Sequence, residues 1–325
     1  MTNDEILNQR WKKTDKTLKD YLKTLSIYSE NIIDDISEMF DSLDLKYEDL
    51  NKKISKQEQR KLDRRINEWK EQGIFNGYFA FLVTTKSIIT YADLLEILIY
   101  SIYMTQLQSI KKSSKKVFKT IAEDSYKQAK RDIPTKKKKL SLTWEFIYSF
   151  LWLPSANKNW YEYLDLLGMT CQQEMYKQLL VDIQQKTRAN EENLKALVRK
   201  QTNRILSIND DKFSGAMDNV ARTLHNQIYI EAGKENKELQ VRFIAEIDDK
   251  TTKMCLGMDK MLFYVNDWNR FYRYSDADKK DVLYTVFGLQ VGINLPPITN
   301  HFHWCRSTIT YQIDKDIKWL SRNKK

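Results

Sequence analysis

The side chains best suited to chemistry in this sequence crowd towards its C-terminal end. Cys255, His301, His303 and Cys305 supply two thiols and two imidazoles, with the carboxylates of Asp248 and Asp249 upstream. Two cysteines and two histidines are a complete tetrahedral ligand set for zinc, and either aspartate could act as a spare oxygen ligand. Spacing argues against that use. Structural zinc sites draw on two close pairs, whereas Cys255 stands alone far ahead of the tight His301-Phe302-His303-Trp304-Cys305 run. The same residues could pair a thiol nucleophile with an imidazole base, Cys305 beside His303 or Cys255 beside His301. The enzyme alternative is therefore a metal-dependent nuclease or a thiol hydrolase. No Walker loop, Gly-rich phosphate cradle or paired catalytic carboxylates at a recognised spacing support it. The plain structural reading is a buried Cys255, a turn at Pro296-Pro297 and histidines satisfied by backbone groups. A protein that is not an enzyme and carries no cofactor is expected, zinc being the one candidate.

A second chemistry is that of charge. The chain carries 54 Lys and Arg against 44 Asp and Glu, a formal net charge of +10. Between Lys111 and Lys139 twelve basic residues face three acids, a surplus that nearly equals the net charge of the whole protein. Lys111, Lys112, Lys115 and Lys116 open this stretch, and Lys136, Lys137, Lys138 and Lys139 close it. Such a run can be a solvated face or loop. It can also neutralise DNA phosphates, releasing counterions without reading sequence. Lysine outnumbers arginine here, which favours diffuse charge contact over bidentate base recognition. Aromatic rings follow from Trp144 to Tyr163; stacking on bases is conceivable, but packing in a helical core is the expectation.

These residues need elements to hold them. Only 8 Gly and 4 Pro in 325 residues leave few helix breakers, so long helices are expected. Leu22, Leu25, Tyr28, Ile32, Ile36, Met39 and Leu43 recur at three-and-four spacing and predict an amphipathic helix from about Thr14 to Leu43. Ser55 to Glu71 reads as a charged helix with Leu62, Ile66 and Trp69 inward. After Gly73 and Gly77 a buried helix is expected through Leu82, Ile89, Leu94, Leu98 and Ile102. Pro154 and Asn157 mark a turn. Further helices are read over Leu179 to Ile208 and over Asp218 to Ala232, the latter ending at Gly233. The period then changes: Val241, Phe243, Ala245 and Ile247 alternate as in a strand, as do Ile309, Tyr311 and Ile313. The fold class expected is mostly α, a long-helix body followed by a small C-terminal α+β module. The divisions are a helical N-terminal body over 1–150, a helical middle region over 151–240, the module over 241–314 and a basic tail over 315–325. No secretory signal is visible, and the longest uncharged runs are too short to span a bilayer.

The C-terminal residues also carry a resemblance. Asp248-Asp249-Lys250-Thr251, Cys255, Asp259 and Phe263, then Pro296-Pro297, His301 or His303, and Cys305-Arg306 resemble the signature of the phage Mu protein F-like minor head proteins. Arg222-Thr223, upstream in a helix, is similar to that family's Arg-Thr dipeptide. The resemblance covers about residues 180–314. Thr252 stands where many members have a second cysteine, and the histidine-to-cysteine spacing differs from the usual one. Both departures fit a cluster that holds a fold rather than a metal. The resemblance thus implies that Asp248, Asp249, Thr251, Cys255, Asp259, Pro296, Pro297, Cys305 and Arg306 are fold-signature residues, with Arg306 available to pair with Asp248 or Asp249. It implies a minor capsid protein of a tailed phage or prophage, made in the host cytoplasm and incorporated at the capsid interior or portal vertex. Its partners would be the portal protein, capsid or scaffold components and double-stranded DNA, with no membrane. The lysines from Lys111 to Lys139 would be the DNA contact.

Overall fold

The structure is a computed structural model that describes residues 3–43, 49–75, 77–85, 88–133, 139–153, 158–184, 213–235, 240–245, 259, 261–264, 267–273 and 308–311. Helix dominates these residues, as the scarcity of glycine and proline predicts. Helix α1 runs Asn3–Leu43, beginning well before Thr14. The extension matters because it places Trp11 and Thr14 on the same helix, both buried. Helix α2, Lys56–Glu71, starts at Ser55, whose hydroxyl accepts the Glu58 backbone N–H at 3.1 Å. It ends in a Schellman arrangement: Gly73 N–H donates to Lys70 O at 3.2 Å and Ile74 N–H to Trp69 O at 3.1 Å. Gly73 has φ +72°, a backbone region that a side chain disfavours. Gly73→Ala should therefore cost about 1 kcal/mol, although a Cβ there would meet no atom within 4 Å. A urea-denaturation midpoint unchanged in that variant would contradict the assignment of strain to the backbone.

The buried helix expected through Leu82 and Ile102 is in fact two, α3 (Gly77–Thr85) and α4 (Tyr91–Asp132). The break has a local cause. Thr90 Oγ1 accepts the Asp93 N–H at 3.3 Å, while Asp93 Oδ2 accepts the Thr90 N–H at 3.0 Å. This reciprocal capping starts a new helix at Tyr91. Ile89, expected inside, lies just before the cap and is 51% exposed.

Contacts group the chain into two compact units. One comprises Tyr21–Ser114 and Tyr161–Phe213. Its core gathers Ile32, Ile33 and Ile36 of α1, Leu94, Ile97 and Leu98 of α4, and Leu164 and Met175 of helix α6 (Trp160–Gln184). Gly168 lets α6 approach α4 closely, since a Cβ there would lie 3.0 Å from Leu107 Cδ2. Phe79 anchors an aromatic cluster, 5.1 Å from the Trp69 ring and 4.9 Å from Tyr100. A cavity of about 80 Å³ is lined by Leu25, Ile32, Tyr103, Leu107, Leu164 and Cys171.

The other unit comprises Met1–Asp20, Lys115–Trp160 and Ser214–Lys325. Its central element is a helix over 213–233, α7, buried along almost its whole length from Gly215 to Ile230. A helix covered on every side is a core element rather than an amphipathic surface one. Helix α5 (Trp144–Tyr148) follows the N-cap Thr143 and leads into the antiparallel pair β1 (Trp152–Leu153) and β2 (Lys158–Asn159). Leu151 accepts the Trp160 N–H at 2.7 Å, and Ile147, Leu151, Leu153 and Trp160 are buried beneath. The aromatic block from Trp144 to Tyr163 is thus partly core, as expected, but folds as a short helix and hairpin before α6.

The C-terminal strands form one four-stranded antiparallel sheet in the order β5-β4-β3-β6. These are β3 (Gln240–Ile244), β4 (Met261–Tyr264), β5 (Asp267–Arg273) and β6 (Thr308–Tyr311). The two strands read from alternation, β3 and β6, are neighbours, with Val241 opposite Tyr311 and Phe243 opposite Ile309. Ile244, whose alternation points it outward, is instead fully buried in a cluster with Trp11. A strand covered on both faces loses its clean alternation.

Candidate nucleic-acid interface

The lysines of the 111–139 stretch divide by environment. Lys111 is half-buried, and its ammonium lies 2.6 Å from Asp165 Oδ1. That ion pair ties α4 to α6 and sets Lys111 apart from its more exposed neighbours. Lys112 is exposed and belongs to the same unit. Lys136, Lys137 and Lys138 lie outside the described residues; Lys139 is exposed.

In the unit built on α7, the C-terminal half of α4 presents Lys115, Lys116, Lys119, Lys127 and Lys130, all exposed. At 100° per residue these five fall within about 120° of the helix circumference and extend over about 22 Å. Phe118, Ile121, Ala122, Ser125 and Ala129, on the opposite face, are buried. The charge is therefore carried on a rigid, packed helix. Lys119, Lys127 and Lys130, which the sequence reading did not single out, belong to the stripe by helical spacing alone. Glu123 interrupts it, and Asp124 at its edge lies 3.8 Å from Lys127 and 3.7 Å from Lys13. Lys115, Lys116 and Lys119 form its most basic end.

That end adjoins α5. The Lys115 ammonium sits 4.7 Å from the centroid of the Trp144 ring, and Trp144 meets Tyr148 edge-on at 6.0 Å. Thr143 caps α5 by accepting the Phe146 N–H at 3.3 Å. The Glu145 carboxyl titrates below its ordinary range, first because its own backbone N–H and the Thr143 hydroxyl bond to it, then because Lys115 and Lys119 are close. It is ionised at neutral pH and offsets part of the positive field.

Inside the same unit lies an arrangement that sequence reasoning saw only as a dipeptide. Arg222 of α7 is buried, its side chain 6% exposed. Its Nη2 donates to Asp15 Oδ1 at 2.7 Å and its Nε to Asp218 Oδ2 at 2.8 Å. The guanidinium also lies 4.5 Å from the centroid of the Trp11 ring. Together the two carboxylates push the Arg222 pKa up against the opposing effect of burial. One turn on, His225 meets Trp11 edge-on at 5.0 Å, and its Nδ1 lies 3.3 Å from Thr14 Oγ1. Ser125 of α4 donates to His225 O at 2.6 Å. The geometry is that of a buried clasp joining α1, α4 and α7. Thr223, beside the arginine, is buried against Asn219 on the same helix.

Of the C-terminal residues, Asp248, Asp249, Thr251, Cys255, Pro296, Pro297, His301, His303, Cys305 and Arg306 lie outside the described residues. Asp259 is described: its Oδ1 accepts the Ala245 N–H at 3.0 Å, bonding to the residue that follows β3. Phe263 sits in β4 opposite Val241 of β3 and Phe271 of β5. Among the described residues no group of three or more His, Cys, Asp and Glu side chains converges as a metal site. Among them, too, no helix is long and apolar enough to cross a membrane. Comparison with protein-family models, curated proteins and solved structures gives no match.

Proposed function

We propose that this chain is a minor head protein of a tailed phage or prophage, one that joins the portal or procapsid and contacts packaged DNA without reading its sequence. The observation that carries the DNA contact is the lysine stripe of α4. Five exposed lysines on one face of a packed helix make a surface for phosphates, and lysine lacks the fork geometry for bidentate base recognition. The head-protein assignment rests on the C-terminal signature. It is supported by the antiparallel sheet that the signature region contributes and by Asp259, whose carboxylate binds backbone at the end of a strand. A carboxylate so used is holding a fold together.

Two measurements test the reading. The purified protein should co-sediment with assembled portal rings of the phage or prophage that encodes it. It should also retard random-sequence duplex DNA at low salt and release it as salt rises. Failure of co-sedimentation with intact DNA binding would reject the head-protein assignment. Failure of DNA retention at low salt would reject the α4 contact.

A further inference from the structure

Two large hydrophobic side chains stand exposed in the α7 unit among its described residues: Trp152, 43% exposed, and Tyr148, 39% exposed. Both are aromatic, and both lie within five residues of each other, at the end of α5 and the start of β1. Exposing a flat ring costs hydrophobic free energy that burial elsewhere in the same segment shows to be avoidable, since Ile147, Leu151 and Leu153 are all buried. The backbone that carries both rings is itself tied down. Trp152 pairs in register with Asn159 of β2, whose side-chain amide donates to Tyr148 O at 3.3 Å. Tyr148 meets Trp144, and Trp144 carries the Lys115 ammonium over its face. Exposed rings and lysine ammonium groups in one unit are the two ingredients of a surface for single strands: charge for the backbone, π faces for unstacked bases. Bases inside a duplex are already stacked and offer no free face to such rings.

We propose that Trp152 and Tyr148, with Lys115, Lys116 and Lys119, form a stacking site for single-stranded nucleic acid. The site would favour an unpaired end or an unwound stretch over duplex. The inference deepens the phosphate contact proposed above and rests on it. Glu145 opposes the backbone at this place, being ionised and close to Lys115 and Lys119, so binding depends on the lysines outweighing one carboxylate. Phe146 and Phe150, edge-on at 5.0 Å, are only half-buried and border the same segment.

The test compares an end-labelled twenty-nucleotide oligo-dT strand with a twenty-base-pair duplex, using fluorescence anisotropy on the full chain. Wild type should bind the strand more tightly than the duplex. Trp152→Ser and Tyr148→Ser should each weaken strand binding about tenfold and leave duplex binding within about twofold. Trp152→Phe, which keeps a ring, should recover most of the loss and guards against a folding artefact, with circular dichroism melting as the check. Ring variants that leave strand affinity unchanged, while Lys115, Lys116 and Lys119 variants weaken both ligands, would overturn the stacking site and leave the phosphate contact standing. Absence of binding to either nucleic acid by wild type would remove both. Ring variants that abolish portal co-sedimentation but not strand binding would also overturn it, reassigning the face to a protein partner.

Discussion

Arg222→Ala should destabilise the protein by about 3 kcal/mol, the largest single-residue effect expected among the buried polar groups described here. The guanidinium is almost wholly buried and bridges Asp15 of α1 to Asp218 of α7 while stacking near Trp11. Removing it leaves two carboxylates facing one another across the space it filled. It also removes a desolvated cation–π contact of about 2 kcal/mol and leaves a cavity beside Trp11. The upper end of the cost of a broken buried pair, about 5 kcal/mol, is not expected. The Asp15 side chain is 42% exposed and Asp218 23% exposed, so both can recover water. The same exposures set an order. Asp218→Ala should cost more than Asp15→Ala, and Asp15→Ala less than about 1 kcal/mol. Arg222→Met, which keeps volume and loses charge, should fall between Arg222→Ala and wild type. Urea unfolding of the four variants reads this order directly. A loss below about 1 kcal/mol in Arg222→Ala would mean that the clasp is peripheral to folding.

Why the clasp escaped the sequence reading is a matter of separation. Asp218 and Arg222 are four apart on one helix, a pair visible by spacing. Asp15, Trp11 and Thr14 lie more than two hundred positions away, and nothing local in α1 marks them as partners of α7. Long-range contacts of this kind follow from how helices pack, which periodicity does not specify. What periodicity does specify came through. The apolar spacing of α1, the charged helix before Gly73, the α7 segment and the strands β3 and β6 were all legible, because each rests on a local pattern. The break between α3 and α4 was missed although its signal is in the chain. Thr90 and Asp93 stand three apart before an apolar run, yet the run itself is apolar enough on both sides to read as continuous. Strands β4 and β5 were missed for a different reason. Asp267 to Arg273 mixes aromatic and charged residues without a two-residue period, and its place is set by pairing with Met261–Tyr264. The basic stretch was legible as charge but not as surface. Composition could not tell that Lys111 pairs with Asp165 while Lys119 lies on the exposed face.

That distinction supplies the second large effect. Replacing Lys115, Lys116 and Lys119 together by glutamine should weaken duplex DNA binding about a hundredfold at 0.1 M salt and lower the slope of log K against log salt by about 2.7. Each lysine that neutralises a phosphate releases about one condensed counterion, so the lost affinity grows as salt falls. The variant also uncovers Glu145, whose charge would then meet the DNA backbone unscreened by Lys115 and Lys119. Glutamine keeps the stem that packs on the helix surface, so stability should change by less than about 0.5 kcal/mol. Position decides the rest. Lys127→Gln should lose less than any of the three, because Asp124 already lies 3.8 Å from that ammonium. Lys111→Gln should do the opposite: DNA binding nearly unchanged, unfolding slightly easier, since its ammonium is turned to Asp165 within its own unit. Equal losses of affinity from Lys111, Lys119 and Lys127 would show that the protein binds DNA by net charge alone. Filter binding across a salt series separates the outcomes, because a spread surface and an ordered stripe predict the same charge but different slopes for the same number of lysines removed.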